Sequence, residues 1–146
     1  MSRVRVLAAA GLVALALTAT AGAGVPTFPA QTISVSGFGK VLAGANRVPL
    51  YTWSKERDHK VHCTGACAKA WPPYVVKSRP RAGTGVAGAH LGTIRRPGGR
   101  LQVTYFGHPL YYYVGDTRPG QILCQNVTEF GGIWRVVRPS GRLVHP

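Results

Sequence analysis

His59, His62, Cys63 and Cys67 place four soft or borderline metal ligands within one short segment. Zinc and copper sites are built from such groups, so a zinc or copper centre on these four residues is one chemistry open to the chain. Thiol redox is a second: Cys67 falls near the start of a short predicted helix among basic residues, a setting that favours a thiolate. A third is covalent and structural. Cysteines four apart can come within disulfide range across the start of a helix, and a Cys63–Cys67 bridge would shape the chain locally. Structural zinc prefers two well-separated ligand pairs, whereas these ligands form one local cluster, which favours the disulfide. Cys124 then remains as a free thiol. A bridge from Cys124 to Cys63 or Cys67 is the other pairing, and it would stabilise more by closing a longer loop.

Hydrolytic chemistry has few carboxylates to draw on. The chain holds four acids, Glu56, Asp58, Asp116 and Glu129. Glu56 and Asp116 could face one another as a glycosidase pair, yet acids at such positions serve more simply as turn anchors that accept backbone N–H bonds. No Gly-x-Ser-x-Gly elbow, His-Glu-x-x-His helix or phosphate-cradling glycine loop occurs. The expectation is a protein that is not an enzyme and, the zinc or copper reading apart, needs no cofactor.

The elements that must position these residues are written twice. Gly39, Lys40, Val41, Pro49, Leu50, Tyr51, Trp53 and Glu56 match Gly99, Arg100, Leu101, Pro109, Leu110, Tyr111, Tyr113 and Asp116 without a gap. A fixed-period match of this kind sets the architecture. Each copy carries a Tyr-x-aromatic-x-x-acid element: Tyr51, Trp53 and Glu56, then Tyr111, Tyr113 and Asp116. In a strand the two aromatics of each copy share a face. They either fill the core of a small domain or form an exposed platform for sugar rings or a flat cofactor, with Tyr112 on the opposite face.

Residues 1–23 form a signal peptide, with Arg3 and Arg5, an apolar run from Val6 to Leu17 and small-residue cleavage sites at Ala19–Ala23. Residues 24–31 form a linker, and 32–146 a single two-repeat domain, repeat one over about 32–78 and repeat two over about 92–144. Strands are expected at Thr32–Ser36, Lys40–Leu42, Leu50–Trp53, Tyr74–Val76, Leu101–Phe106, Leu110–Val114, Ile133–Val137 and Leu143–Val144. Turns fall at Asn46–Arg47, Gly107–His108 and Ser140–Gly141. Thr64 should cap a stub of helix over Ala66–Ala70 that Pro72 and Pro73 end. Lys77–Gly88 reads as a mobile loop. The fold class is all-β, a small sandwich or paired β-meanders from two tandem repeats, with one short helix after the first motif.

The stretches Leu50–Glu56, Cys63–Pro73, Gln102–Tyr105 and Pro109–Asp116 resemble a bacterial family of secreted repeats of unknown function, predicted lipoproteins with tandem Tyr-x-aromatic-x-x-Asp motifs. The resemblance covers nearly all of the chain after the leader. It implies an exported envelope protein with no established biochemical activity. The chain departs from that pattern in four places: no lipobox cysteine, Glu56 in place of Asp, histidines at 59 and 62, and Cys124 in the second repeat. Without a lipobox cysteine, a secreted or envelope-associated protein that is not lipid-anchored is expected.

Formal charge narrows the partners. The chain carries +14, and +12 once Arg3 and Arg5 leave with the signal peptide. Export removes nucleic acid from consideration, leaving anionic envelope polymers or lipid head groups, the latter by peripheral membrane contact. The basic residues are spread along the chain, as on a solvated surface, apart from Arg95–Arg96. The leading expectation is a basic envelope binding or structural protein; the alternative is a metal-binding or thiol-redox protein using His59, His62, Cys63 and Cys67.

Overall fold

The computed structural model describes residues 30–145; the signal peptide and most of the expected linker lie outside them. Ala30, fully buried, and Gln31 belong to the domain rather than to the linker. Period-two alternation turns Ile33 inward from β1 (Gln31–Val35), which pairs antiparallel with β2 (Gly39–Ala43). After β3 (Tyr51–Trp53) come helix α1 (Gly65–Ala70) and β4 (Val75–Val76). The second half contributes β5 (Leu91–Arg95), β6 (Leu101–Tyr105), β7 (His108–Pro109), β8 (Val127–Glu129) and β9 (Gly132–Val136). The fold is therefore all-β with one short helix. Its small antiparallel sheets are β1-β2, β3-β9-β8 and β4-β6-β5, with β7 on β6.

Several local expectations are corrected. Thr64 occupies the N-cap of α1, but its side chain makes no capping bond. The β6–β7 turn is Phe106–Gly107, one residue earlier than expected. Both residues have positive φ (49° and 80°), as a two-residue hairpin turn requires. Leu110–Val114 is not a strand, and only Tyr111 makes bridges. Its neighbouring segment explains this: Tyr112 N donates to Pro72 O and Val114 N to Ala70 O, while Pro72 and Pro73 have no N–H to return. The Lys77–Gly88 loop is tied to the first strand, with Thr32 N donating to Thr84 O and Gly83 N to Ala30 O.

The two repeats follow one hydrogen-bonding scheme and exchange their final segments. In the first, Leu42 N donates to Val137 O (2.8 Å), Val137 N to Leu50 O (3.2 Å) and Leu50 N to Leu42 O (2.9 Å). In the second, Val103 N donates to Tyr74 O (2.8 Å), Tyr74 N to Leu110 O (2.9 Å) and Leu110 N to Val103 O (2.9 Å). Tyr74, from the end of repeat one, completes repeat two; Val137, from the end of repeat two, completes repeat one. At the junction Tyr51 and Tyr111 exchange both backbone bonds, at 2.8 and 2.9 Å. The gapless sequence match slips by one residue in β2 and β6. Ala43 pairs with Pro49 and Thr104 with Pro109, so Gly39 matches Arg100 rather than Gly99. The connection across 44–48 is one residue longer than that across 105–108.

The core follows the same symmetry. Trp71 and Trp134 stack face to face at 4.0 Å and 1°. Tyr51 meets Trp71 edge-on at 5.2 Å, and Tyr111 meets Trp134 edge-on at 5.2 Å. Tyr113 lies outside Trp71 at 4.8 Å, and Trp53 outside Trp134 at 5.4 Å. Six rings thus supply the burial that a small β domain otherwise lacks.

Candidate functional site

The repeated motif serves the fold, and it does so across the repeats. Tyr51 Oη donates to Asp116 Oδ2 (2.5 Å), and Tyr111 Oη donates to Glu56 Oε1 (2.8 Å). Each tyrosine therefore binds the other copy's acid. Glu56 Oε1 also accepts from His62 N (2.7 Å) and Cys63 N (2.9 Å), and Asp116 Oδ1 from Leu123 N (3.0 Å). Glu56 and Asp116 are 1% and 5% exposed, because each closes a turn whose backbone it caps: Glu56 N donates to Trp53 O and Asp116 N to Tyr113 O. Burial pushes the Asp116 carboxyl above its ordinary range, the Tyr51 bond opposing it. The Tyr51 and Tyr111 hydroxyls are pushed far up, first by burial and then by the neighbouring acids. Tyr51, Tyr111 and Trp53 are buried and Tyr113 half-buried, so these four are core residues rather than an exposed platform.

The cysteine cluster resolves as a disulfide. Cys63 and Cys67 are bonded, with Cα atoms 5.2 Å apart, and Cys124 is free. The bridge consumes both thiolates of the zinc or copper reading. His62 Nε2 lies 2.8 Å from Asp58 Oδ2 at the surface, and His59 Nδ1 sits 3.3 Å from Gly107 O. Among the described residues no group of three or more His, Cys, Asp or Glu is placed to hold a metal ion. Cys124 is half-buried beside Tyr113, and its hydrogen bond is the first cause raising the Tyr113 hydroxyl to about 12.

Arg96 is a residue whose role sequence reasoning missed. It is buried at 6%, whereas Arg95 is exposed. Its Nη1 donates to Gln102 Oε1 (2.6 Å) and its Nη2 to Cys63 O (2.7 Å), with the guanidinium 6.0 Å from the Tyr111 ring centre. Arg96 thus joins the Glu56 lock to the disulfide segment. The structural counterpart of Arg96 is Val35, which faces the core. That signal becomes readable only once the one-residue slip in register is known.

A family described as a secreted repeat of unknown function matches residues 32–74 and 92–138, the same two units that exchange segments here. The chain belongs to this family. No curated protein and no solved structure matches it. Among the described residues, no helix of this secreted-repeat protein is long and apolar enough to cross a membrane.

With the motif withdrawn into the core, the outer surface of the secreted repeat is left to the cations. Of the sixteen Lys and Arg residues described, thirteen are exposed, Arg135 and Arg138 are half-buried, and Arg96 alone is buried. The acids are distributed the other way. Glu56 and Asp116 are buried, Glu129 accepts from Trp71 Nε1 (2.8 Å), and Asp58 is held by His62. Among the described residues no Lys or Arg is paired with a carboxylate. One groove of about 410 Å³ opens on this surface, lined by Ala45, Asn46, Pro73, Tyr74, Val75 and Tyr112.

Proposed function

We propose that this secreted-repeat domain is a non-catalytic envelope protein, held by charge to anionic wall polymers or lipid head groups. The observation that carries the reading is the segregation of charge: the fold draws Glu56, Asp116 and Glu129 into internal hydrogen bonds, holds Asp58 against His62 at the surface, and leaves its surface cations without carboxylate partners. Such a surface attracts polyanions over the range of the Debye length, and the attraction weakens as salt shortens that range. The disulfide- and tyrosine-locked core supports a passive binding or structural role, since Glu56 and Asp116 are committed to holding turns and Glu129 to the Trp71 indole.

The test is retention of the full mature chain on isolated cell envelope across a salt series. Binding should be strong at about 0.05 M salt and largely lost by about 0.5 M. Retention that is indifferent to salt, or absent at the low end, would overturn the charge reading.

A further inference from the structure

The two halves of the molecule offer an internal comparison. The motif tyrosines and acids recur in both halves, whereas some features belong to one half alone. The groove is such a feature. Tyr112 follows the motif tyrosine of repeat two, and the same place in repeat one is Thr52. Pro73, Tyr74 and Val75 correspond to Val136, Val137 and Arg138 in the exchanged segments. An aromatic, proline-lined wall therefore exists on one side of the pseudo-twofold alone.

Its opposite wall is held rigidly. Gln31 Nε2 donates to Gly44 O (2.9 Å) and Ala45 O (3.2 Å), Val48 N donates to Asn46 Oδ1 (3.2 Å), and Gly120 N donates to Arg47 O (2.9 Å). Gly44 allows the loop to lie against Tyr112, since a Cβ there would fall 1.9 Å from the tyrosine hydroxyl. Arg47 is exposed and sits in the left-handed region at φ 63°, a conformation glycine adopts without strain. A cation is kept where the backbone would favour glycine, directly after the groove residue Asn46. Lys77, also exposed, follows closely on Val75 along the other wall.

We propose that this groove binds an acidic sugar unit of an anionic envelope polysaccharide. The proposal rests on the charge reading above and gives it a site. A pyranose ring has apolar C–H faces that fit against Tyr112, Pro73 and Val75, and hydroxyls that the Asn46 amide can bind. Its carboxylate would be met by Arg47. The groove lies within the size range of small-ligand sites.

The experiment is calorimetric titration of the full mature chain with trigalacturonate and with neutral galactotriose, using the wild type, Tyr112→Thr and Arg47→Gly. Tyr112→Thr installs the residue that repeat one already carries and should lower affinity for both sugars by about tenfold or more. Arg47→Gly relieves a strained position, so it should fold at least as well as the wild type, and it should weaken only the acidic sugar. Both variants should largely keep their salt-dependent retention on envelope. If the wild type is retained on envelope but shows no saturable trisaccharide binding, the groove proposal falls and the charge reading stands. Wild-type affinity in both variants overturns it as well. So does a wild type that binds a proline decamer, dependent on Tyr112, in place of the sugars. Failure of the charge reading shows separately, as loss of envelope retention.

Discussion

Asp116 shows how a single residue ties protonation to folding. Its carboxyl is raised above the ordinary 3.8, mainly by burial, so the folded state favours the protonated form more than the unfolded state does. That contribution is fully present below 3.8 and is lost as pH rises through the raised folded-state value. We therefore expect the wild type to gain stability relative to Asp116→Asn as pH falls from neutral towards 4, read by urea unfolding at a series of pH values. A stability gap that ignores pH would remove Asp116 as its source. The carboxylate is nonetheless retained, because it holds the Tyr51 hydroxyl and the Leu123 N–H that anchor its turn. That the motif acids belong in turns was legible from their spacing after each strand. That each acid would take its tyrosine from the other copy was not, because a hydrogen bond across sixty residues leaves no local pattern.

At the scale of elements, local chemistry spoke clearly where the chain satisfies itself. The Pro72–Pro73 stop, strands close to the places expected for β1 and β2, and the Cys63–Cys67 bridge all appear as read. Two strands whose own residues carry little periodic signal were missed. Strand β5 alternates only weakly, since Gly92 and Thr93 carry little apolar signal, and it exists because β6 pairs with it. Strand β8 has three residues and is held only at the edge of β9. The disulfide closes a small loop beside α1, so replacing both Cys63 and Cys67 by alanine should cost about 2 kcal/mol in urea unfolding. Cys124→Ser, which breaks no covalent link, should cost less. If the order were reversed, the disulfide would not be the element that holds this segment.

For the whole molecule, exchange of the terminal segments decides what can fold alone. Repeat one lacks the segment that carries Val137, and repeat two lacks the segment that carries Tyr74. The central Trp71–Trp134 stack likewise takes one ring from each. Chains of residues 30–90 and 91–145, made separately, should therefore show no cooperative melt, and mixing them should restore one. A cooperative transition in either half by itself would contradict the exchange. The one-residue slip between β2 and β6 also belongs to this scale. Sequence similarity aligns Gly39 with Gly99, but backbone pairing to the prolines is what sets the register.

The sequence by itself determined the repeat, the all-β class, the helix stub, the secreted-repeat family and the excess of positive charge. Each of these is written in local residue types or in self-similarity, and neither needs a fold to be read. Only the tertiary structure decided which residues of the motif are core, that Arg96 is buried, that the motif acids Glu56 and Asp116 are consumed internally, and that one half carries a groove the other lacks. The physical reason is common to all four: each depends on which distant segment packs against the residue, and the partner segments come from opposite repeats.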